Sequence, residues 1–340
     1  MSTLNLQPST LNPEPSTLNP SRFLVTGALG CIGAWVVRHL VSEGAPVAVL
    51  DLASNPHRLR LILSDEELAR VQFIAGDITD LAAVEAAFKD SAATHVIHLA
   101  GLQVPFCKAD PPLGARVNVV GTVNIFEAAK RAGLKRVAYA SSIAVYGLSD
   151  EYPEGPIPHD APLKPRNHYG VYKQANEGTA RVYWLDDGIS SVGLRAYTVY
   201  GPGRDQGLTS SPTKAMLAAA AGQSYHISFG GRCAYQFAGD VARAFIHAAR
   251  APFEGADVFN LRGSVAHMRE VIAAIESAAP EVKGKITFDD KPLPFPEDMD
   301  DTAFAQTLGR IPETPLTEGV RQTIDIFRRA LAEGKIAVGD

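Results

Sequence analysis

From Arg22 onward, short runs of β-branched and apolar residues alternate with longer stretches that carry helical periodicity. The runs fall at 22–26, 47–51, 71–75, 95–99, 136–141 and 190–195, each of a length suited to a strand buried on both faces. Between them, alanine-rich segments such as 31–43, 80–89, 112–132 and 169–187 repeat their apolar positions every three or four residues. Strand followed by helix at this spacing predicts right-handed βαβ units. The expected fold is therefore α/β, a Rossmann-type doubly wound parallel sheet covered on both faces. Residues 94–100, Thr-His-Val-Ile-His-Leu-Ala, read as a buried strand running to the carboxyl edge of that sheet, where ligands bind in such folds.

The rhythm breaks after Gly201. Proline, glycine and polar residues crowd 201–213, and short elements then alternate irregularly to about 290. The stretch 289–301 holds Pro292, Pro294, Pro296 and many acids, and reads as an exposed loop. A closing amphipathic helix is expected over roughly 316–332. The chain thus divides into a nucleotide-binding part at 21–200 and, at 201–335, mainly a smaller C-terminal substrate-binding subdomain. Residues 1–20 repeat Ser-Thr-Leu-Asn three times with prolines between, a polar pattern that predicts a disordered tail.

Composition narrows the function. A formal net charge of −5 gives no basic field for nucleic acid and no polybasic stripe for an anionic membrane. No apolar run approaches the ~20 residues of a membrane span. Cys31, Cys107 and Cys233 stand far apart, which suits a reduced compartment and predicts neither disulfides nor a metal site. The tail has no basic residue before Arg22, so neither a secretory signal nor a transit peptide is read, and the cytoplasm is expected.

The segment Phe23-Leu-Val-Thr-Gly27-Ala-Leu-Gly30-Cys31-Ile32-Gly33 runs from a strand through a glycine turn into a helix. Such a turn lets a diphosphate approach the amides at a helix N-terminus. The second strand ends in Asp51, the acid expected to bind the adenosine ribose hydroxyls. Its carboxylate would repel a 2′-phosphate, which favours NAD over NADP, with Arg58 and Arg60 near enough in sequence to soften that preference.

Tyr169-Gly-Val-Tyr-Lys173 sets a phenol and an ammonium one above the other on a helix face. Oxidising a carbinol needs a base for the hydroxyl proton, and a nearby cation favours the phenolate. Lys173 is expected to hold the Tyr169 pKa down and to bind the nicotinamide ribose as well. Tyr172 has no lysine four residues on. Ser142, more than Ser141, is expected to orient the substrate oxygen.

These pieces resemble the extended short-chain dehydrogenases/reductases, the branch that includes the NAD-dependent epimerases and dehydratases, over roughly 22–335. In addition to Gly-x-x-Gly-x-x-Gly, the resemblance covers Gly76-Asp77-Ile78, His98-Leu99-Ala100-Gly101-Leu, Asn118-Val-Val-Gly-Thr122 and Ala140-Ser-Ser142-Ile-Ala-Val-Tyr-Gly147. It implies that Asp77 and Ile78 meet the adenine, that Leu99, Ala100 and Gly101 line the nicotinamide ribose, and that Asn118 holds the catalytic helix or a water near Lys173. His98 reads as a strand-end histidine satisfied by neighbours.

The chain departs from nucleotide-sugar epimerases at Thr198, where they usually place Asn, at Arg232, which is one residue out of step, and at Gln103, often Lys in the galactose epimerases. Each change removes an expected diphosphate or hexose contact. Ile143 and Ala144 stand where a dehydratase needs an acid pair. The expected function is an NAD-dependent dehydrogenase of a carbohydrate-like small molecule: a free sugar, sugar acid or polyol. The alternatives are a nucleotide-sugar epimerase or, third, a non-catalytic dinucleotide sensor. Candidate substrate contacts are Gln103, Ser142, Thr198, Thr209, Ser210, Ser211 and Arg232, and a homodimer is compatible with this reading.

Overall fold

The computed structural model describes residues 21–338, so the repeat at 1–20 lies outside the described residues. Six strands stand where the apolar runs predict them: β1 (Phe23–Thr26), β2 (Val47–Asp51), β3 (Val71–Ala75), β4 (His95–His98), β5 (Arg136–Ser142) and β6 (Ser190–Ala196). β1, β2 and β6 are buried along almost their whole length, as strands covered by helices on both faces must be. Further along lie β7 (Thr198–Tyr200), β8 (Tyr225–Ile227), β9 (Arg232–Phe237), β10 (Ala256–Asn260), β11 (Ser264–His267) and β12 (Ile286–Phe288). The main sheet is parallel, in the order β10-β6-β5-β4-β1-β2-β3. The chain order reverses between β1 and β4, which opens a crevice at their carboxyl ends.

Three features depart from the linear reading. First, β10 returns from the C-terminal half to pair with β6, and the helix Ala238–Arg250 packs on the first helix, Cys31–Ser42. A boundary at Gly201 therefore separates segments that share one sheet. Second, the single helix expected over 112–132 is interrupted. Pro111–Ala115 leads into a π-helical turn at Arg116–Val120 before Gly121–Arg131 resumes the α-helix. The wider turn carries Asn118, which is fully buried. Third, 289–301 is not an exposed loop. Leu293, Phe295 and Met299 are buried, and the segment is stitched down by Gly230 N to Lys291 O (2.8 Å) and Ile157 N to Asp298 O (3.1 Å). Its prolines remove backbone donors, so it crosses the surface as a strap with its apolar side chains turned inward.

The remaining C-terminal elements form a three-stranded sheet, β11-β9-β7, and a β8–β12 pair. Helices Ser211–Ala220, Met268–Ala278 and Leu316–Ala332 pack together beside them. Val320, Ile324 and Phe327 of the last helix belong to the same apolar core as Val25 and Trp35.

Candidate active site

A cavity of about 560 Å³ opens at the carboxyl ends of β1, β4 and β5. Its first end is the turn Thr26–Gly33. Gly27 has φ +67°, and a Cβ there would lie 2.5 Å from the Ala100 amide nitrogen. A Cβ on Gly33 would lie 2.4 Å from the Gly27 carbonyl oxygen. Only glycine lets the end of β1 close on both the end of β4 and the start of its own helix. Gly30 offers no side-chain cap, so the first amides of Cys31–Ser42, including those of Cys31, Ile32 and Gly33, open on the cavity as an anion cradle.

Asp51 stands at the end of β2, its carboxylate oriented by the amides of Leu29 and Ala53, each at 3.0 Å. Asp77 accepts from the Thr79 amide (2.8 Å), and the Ile78 side chain fills the space that a Cβ on Gly121 would need. Leu99, Ala100 and Gly101 complete this lining. The residues present fit a dinucleotide: a cradle that any Cβ would fill, uncapped helix amides, and an aligned acid one strand away. Arg58 lines the cavity beside Asp51 but is engaged by other groups. Its guanidinium forks onto both Asp205 oxygens (2.8 Å each) and donates to Leu29 O (2.8 Å), while Arg60 is exposed and outside the cavity lining.

Ser142, Tyr169 and Lys173 line the same cavity. β5 ends at Ser142, whose Oγ accepts from the Ala144 amide (3.2 Å) and caps a short turn. The helix His168–Asp187 is pressed onto that turn through Gly170, where a Cβ would sit 2.0 Å from Ala144 O. Gly170 thus brings Tyr169 to the turn that Ser142 caps, and both side chains line the cavity. Ser141 is excluded from the same role because its hydroxyl is given to Glu177, which also holds Arg195 in a buried ion pair at 2.7 Å. That pair fastens the helix to β6.

Lys173 meets Tyr169 at the face of its ring. Its ammonium donates to Ala140 O (2.8 Å) and lies over the Tyr169 ring, 5.6 Å from the centroid, rather than at the hydroxyl. Burial lowers Lys173 to about 8. Burial raises the Tyr169 phenol, opposed first by the Ser142 hydrogen bond and then by the positive charge of Arg204. The phenol is therefore held above its ordinary range, opposed by Ser142 and by Arg204, a cation that the spacing did not single out.

Asn118 lies just behind the cavity wall. Its amide nitrogen donates to Gly114 O (3.0 Å) and Leu102 O (3.2 Å), while Oδ1 is buried without a partner. The space above Gly101 is bounded by that oxygen and, farther off, by Lys173 Nζ. His98 is buried between Thr26 Oγ1 (2.7 Å) and Thr122 Oγ1 (3.1 Å), and burial drives its pKa down to about 3.

The far end of the cavity differs most from the sequence reading. Gln103 and Thr209 line it. Thr198 does not: it is fully buried, with its hydroxyl on Cys233 Sγ (3.5 Å). Ser210 turns its hydroxyl back to Gly207 O (2.9 Å), and Ser211 accepts from the Ser228 amide (3.2 Å). Arg232 sits at the start of β9, half exposed, with Glu270 at 3.9 Å. In their place stand Arg204, Tyr197 and Phe295. Phe295 comes from the 289–301 strap and meets Tyr197 edge-on, with ring centroids 6.0 Å apart.

Comparison with known proteins agrees with this geometry. A family model for the NAD-dependent epimerase/dehydratase family matches residues 23–261. A UDP-glucose 4-epimerase of Mycolicibacterium smegmatis is 32% identical over 326 residues, covering 90% of this chain and 98% of the relative. The solved Thermus thermophilus UDP-glucose 4-epimerase in complex with NAD superposes with a TM-score of 0.76 at 30% identity, over 91% of this chain and 99% of that one. A partial consensus L-threonine 3-dehydrogenase shares the fold alone, with a TM-score of 0.79 at 23% identity, over 91% of this chain and 99% of that one.

Proposed function

The chain belongs to the NAD-dependent epimerase/dehydratase family, and from that premise we propose that it is a dehydrogenase oxidising a secondary alcohol of a free sugar, sugar acid or related polyol. It is an NAD-dependent enzyme of the extended short-chain dehydrogenase/reductase type. Bound NAD would supply the hydride acceptor. Gly27, Gly30, Cys31, Ile32 and Gly33 would hold its diphosphate, and Asp51 its adenosine ribose. Asp77 and Ile78 would meet the adenine, with Leu99, Ala100, Gly101 and Lys173 at the nicotinamide ribose.

Ser142 orients the substrate oxygen, and Tyr169 Oη takes the hydroxyl proton. Lys173 fixes the Tyr169 ring from its face, and Asn118 braces the wall behind it. The observation that carries this reading is the convergence of Ser142, Tyr169 and Lys173 on one cavity with the glycine turn. A free substrate is supported by Gln103, by Thr198 turned away from the cavity, and by Arg232 outside it.

The epimerase reading has its own support. Relatives matched over nearly their full length carry that activity in their names. The loop after Gly201 also crosses the glycine turn, held by Trp35 Nε1 to Pro202 O (3.1 Å) and by the Arg58–Asp205 fork, and would retain a cofactor through turnover. NADH absorbance on adding a panel of sugars, aldonates, uronates and UDP-sugars decides between the two. Accumulating NADH marks a dehydrogenase, and product without NADH marks an epimerase.

No helix among the described residues is long and apolar enough to cross a membrane. The proposal places the enzyme in the cytoplasm, as its free cysteines suit, and extends to a homodimer. Val171, Val182 and Leu185, exposed on one face of the helix His168–Asp187, support the dimer, and sedimentation of the purified protein tests it.

A further inference from the structure

Arg204 leaves the loop after β7 and enters the cavity half-buried. Its Nη2 donates to Thr209 Oγ1 (3.0 Å), while Nε is buried with no partner. Its neighbour Asp205 is taken by the Arg58 fork, and no carboxylate among the described residues pairs with Arg204. Gln103 Oε1 is buried without a partner in the same corner. Both groups border Gly207, whose φ of +95° keeps that spot free of a side chain. A Cβ there would lie 1.9 Å from Gln103 Oε1 and 3.3 Å from Arg204 Nη2.

A lone buried donor and a lone buried acceptor are each costly until a ligand satisfies them. Resting on the dehydrogenase reading above, we propose that this corner selects a compact hydroxy acid, Arg204 binding its carboxylate and Gln103 accepting from an adjacent hydroxyl. A diphosphate offers acceptors only and leaves the Gln103 oxygen unmet. A neutral polyol leaves the guanidinium without a counter-charge. Phe295, on a strap that is stitched down, adds an apolar wall to this cavity beside Tyr197. Arg204 and Gln103 line the same cavity as Tyr169 and Ser142.

Calorimetry on the NAD-loaded full chain, with sodium gluconate, glucitol and UDP-glucose as probes, tests this. Gluconate and glucitol differ chiefly in the carboxylate. Wild type should bind gluconate at least tenfold more tightly than glucitol. Arg204→Gln should weaken gluconate by about 10- to 100-fold, the range of one charge-assisted contact, and leave glucitol unchanged. Arg204→Lys should lie between, because it keeps the charge but loses the fork. Gln103→Leu should weaken gluconate by about fivefold. NAD affinity, measured separately, should stay within about twofold in all three, which also shows that the variants are folded.

Equal binding of gluconate and glucitol by wild type overturns the proposal, as does a preference for UDP-glucose. If Arg204→Gln weakens NAD and spares gluconate, the guanidinium serves the cofactor diphosphate and the proposal fails. Because the readout is binding, it separates from the reading it rests on. Gluconate held through Arg204 with no NADH formed from any sugar acid overturns the dehydrogenase reading alone.

Discussion

At the glycine end of the cavity, residues 26–33 and Asp51 come from one β-turn-α unit and the strand that follows it. At the opposite end, Gln103, Arg204, Thr209 and Phe295 come from three loops that no single local motif unites. The first end is decided by backbone sterics: two glycines whose Cβ atoms would strike Ala100 and Gly27 leave no other way to close the turn. The second is decided by which loop happens to cover which strand end, and its polar groups remain partly unmet. An enzyme can keep one cofactor and change substrate because these two constructions share a cavity but few residues.

Substitutions at the junction and at either end can break that comparison. The largest effect belongs to Tyr169→Phe, at the junction. Turnover should fall by ~100- to 10,000-fold, the usual contribution of a positioned acid–base group, while NAD affinity stays near wild type. Turnover at the wild-type rate in single-turnover kinetics would sink the mechanism.

Gly27→Ala should come next. The added methyl has the Ala100 backbone as its neighbour and a left-handed φ to sustain, so stability should drop by about 1–3 kcal/mol with NAD binding largely lost. Thermal melts with and without NAD measure both. Asp51→Ala should leave the fold intact and weaken NAD by about 10- to 100-fold, with NADP affected less. A protein that already prefers NADP would contradict the role given to Asp51.

Gly207→Ala sharpens the contrast: its methyl must displace the Gln103 side chain, and the φ of +95° costs about 1 kcal/mol of stability, read in the same thermal melts. NAD affinity should hold, and KM for the best substrate should rise several-fold.

The smallest effect is a pH slope. The folded His98 pKa is depressed to about 3, against an ordinary 6.5, so between these values the unfolded chain binds the extra proton. Stability should then fall as pH drops from 6.5 toward 3, with His98 contributing at most ~1.4 kcal/mol per pH unit. His98→Gln should flatten that part of a denaturant-midpoint series, and an unchanged slope would place the acid sensitivity elsewhere.

The alternation of apolar runs and periodic helices determined six of the seven main strands, the helix His168–Asp187 and the last helix, because each is set by local spacing. The glycine turn, Asp51 and the Tyr169–Lys173 spacing were legible for the same reason: each motif lies within one strand–turn–helix unit or on one helix face. Tertiary structure alone decided that β10 returns to the main sheet, that the proline-rich strap turns Phe295 inward, and that Asn118 rides on a π turn. It also left Thr198, Ser210 and Arg232 out of the cavity lining and put Arg204, Tyr197 and Phe295 into it. Periodicity along a chain specifies which face of an element is buried against its own sheet. It carries no information about which distant loop supplies the neighbouring atoms, and a substrate pocket built from such loops is settled only when the whole chain has packed.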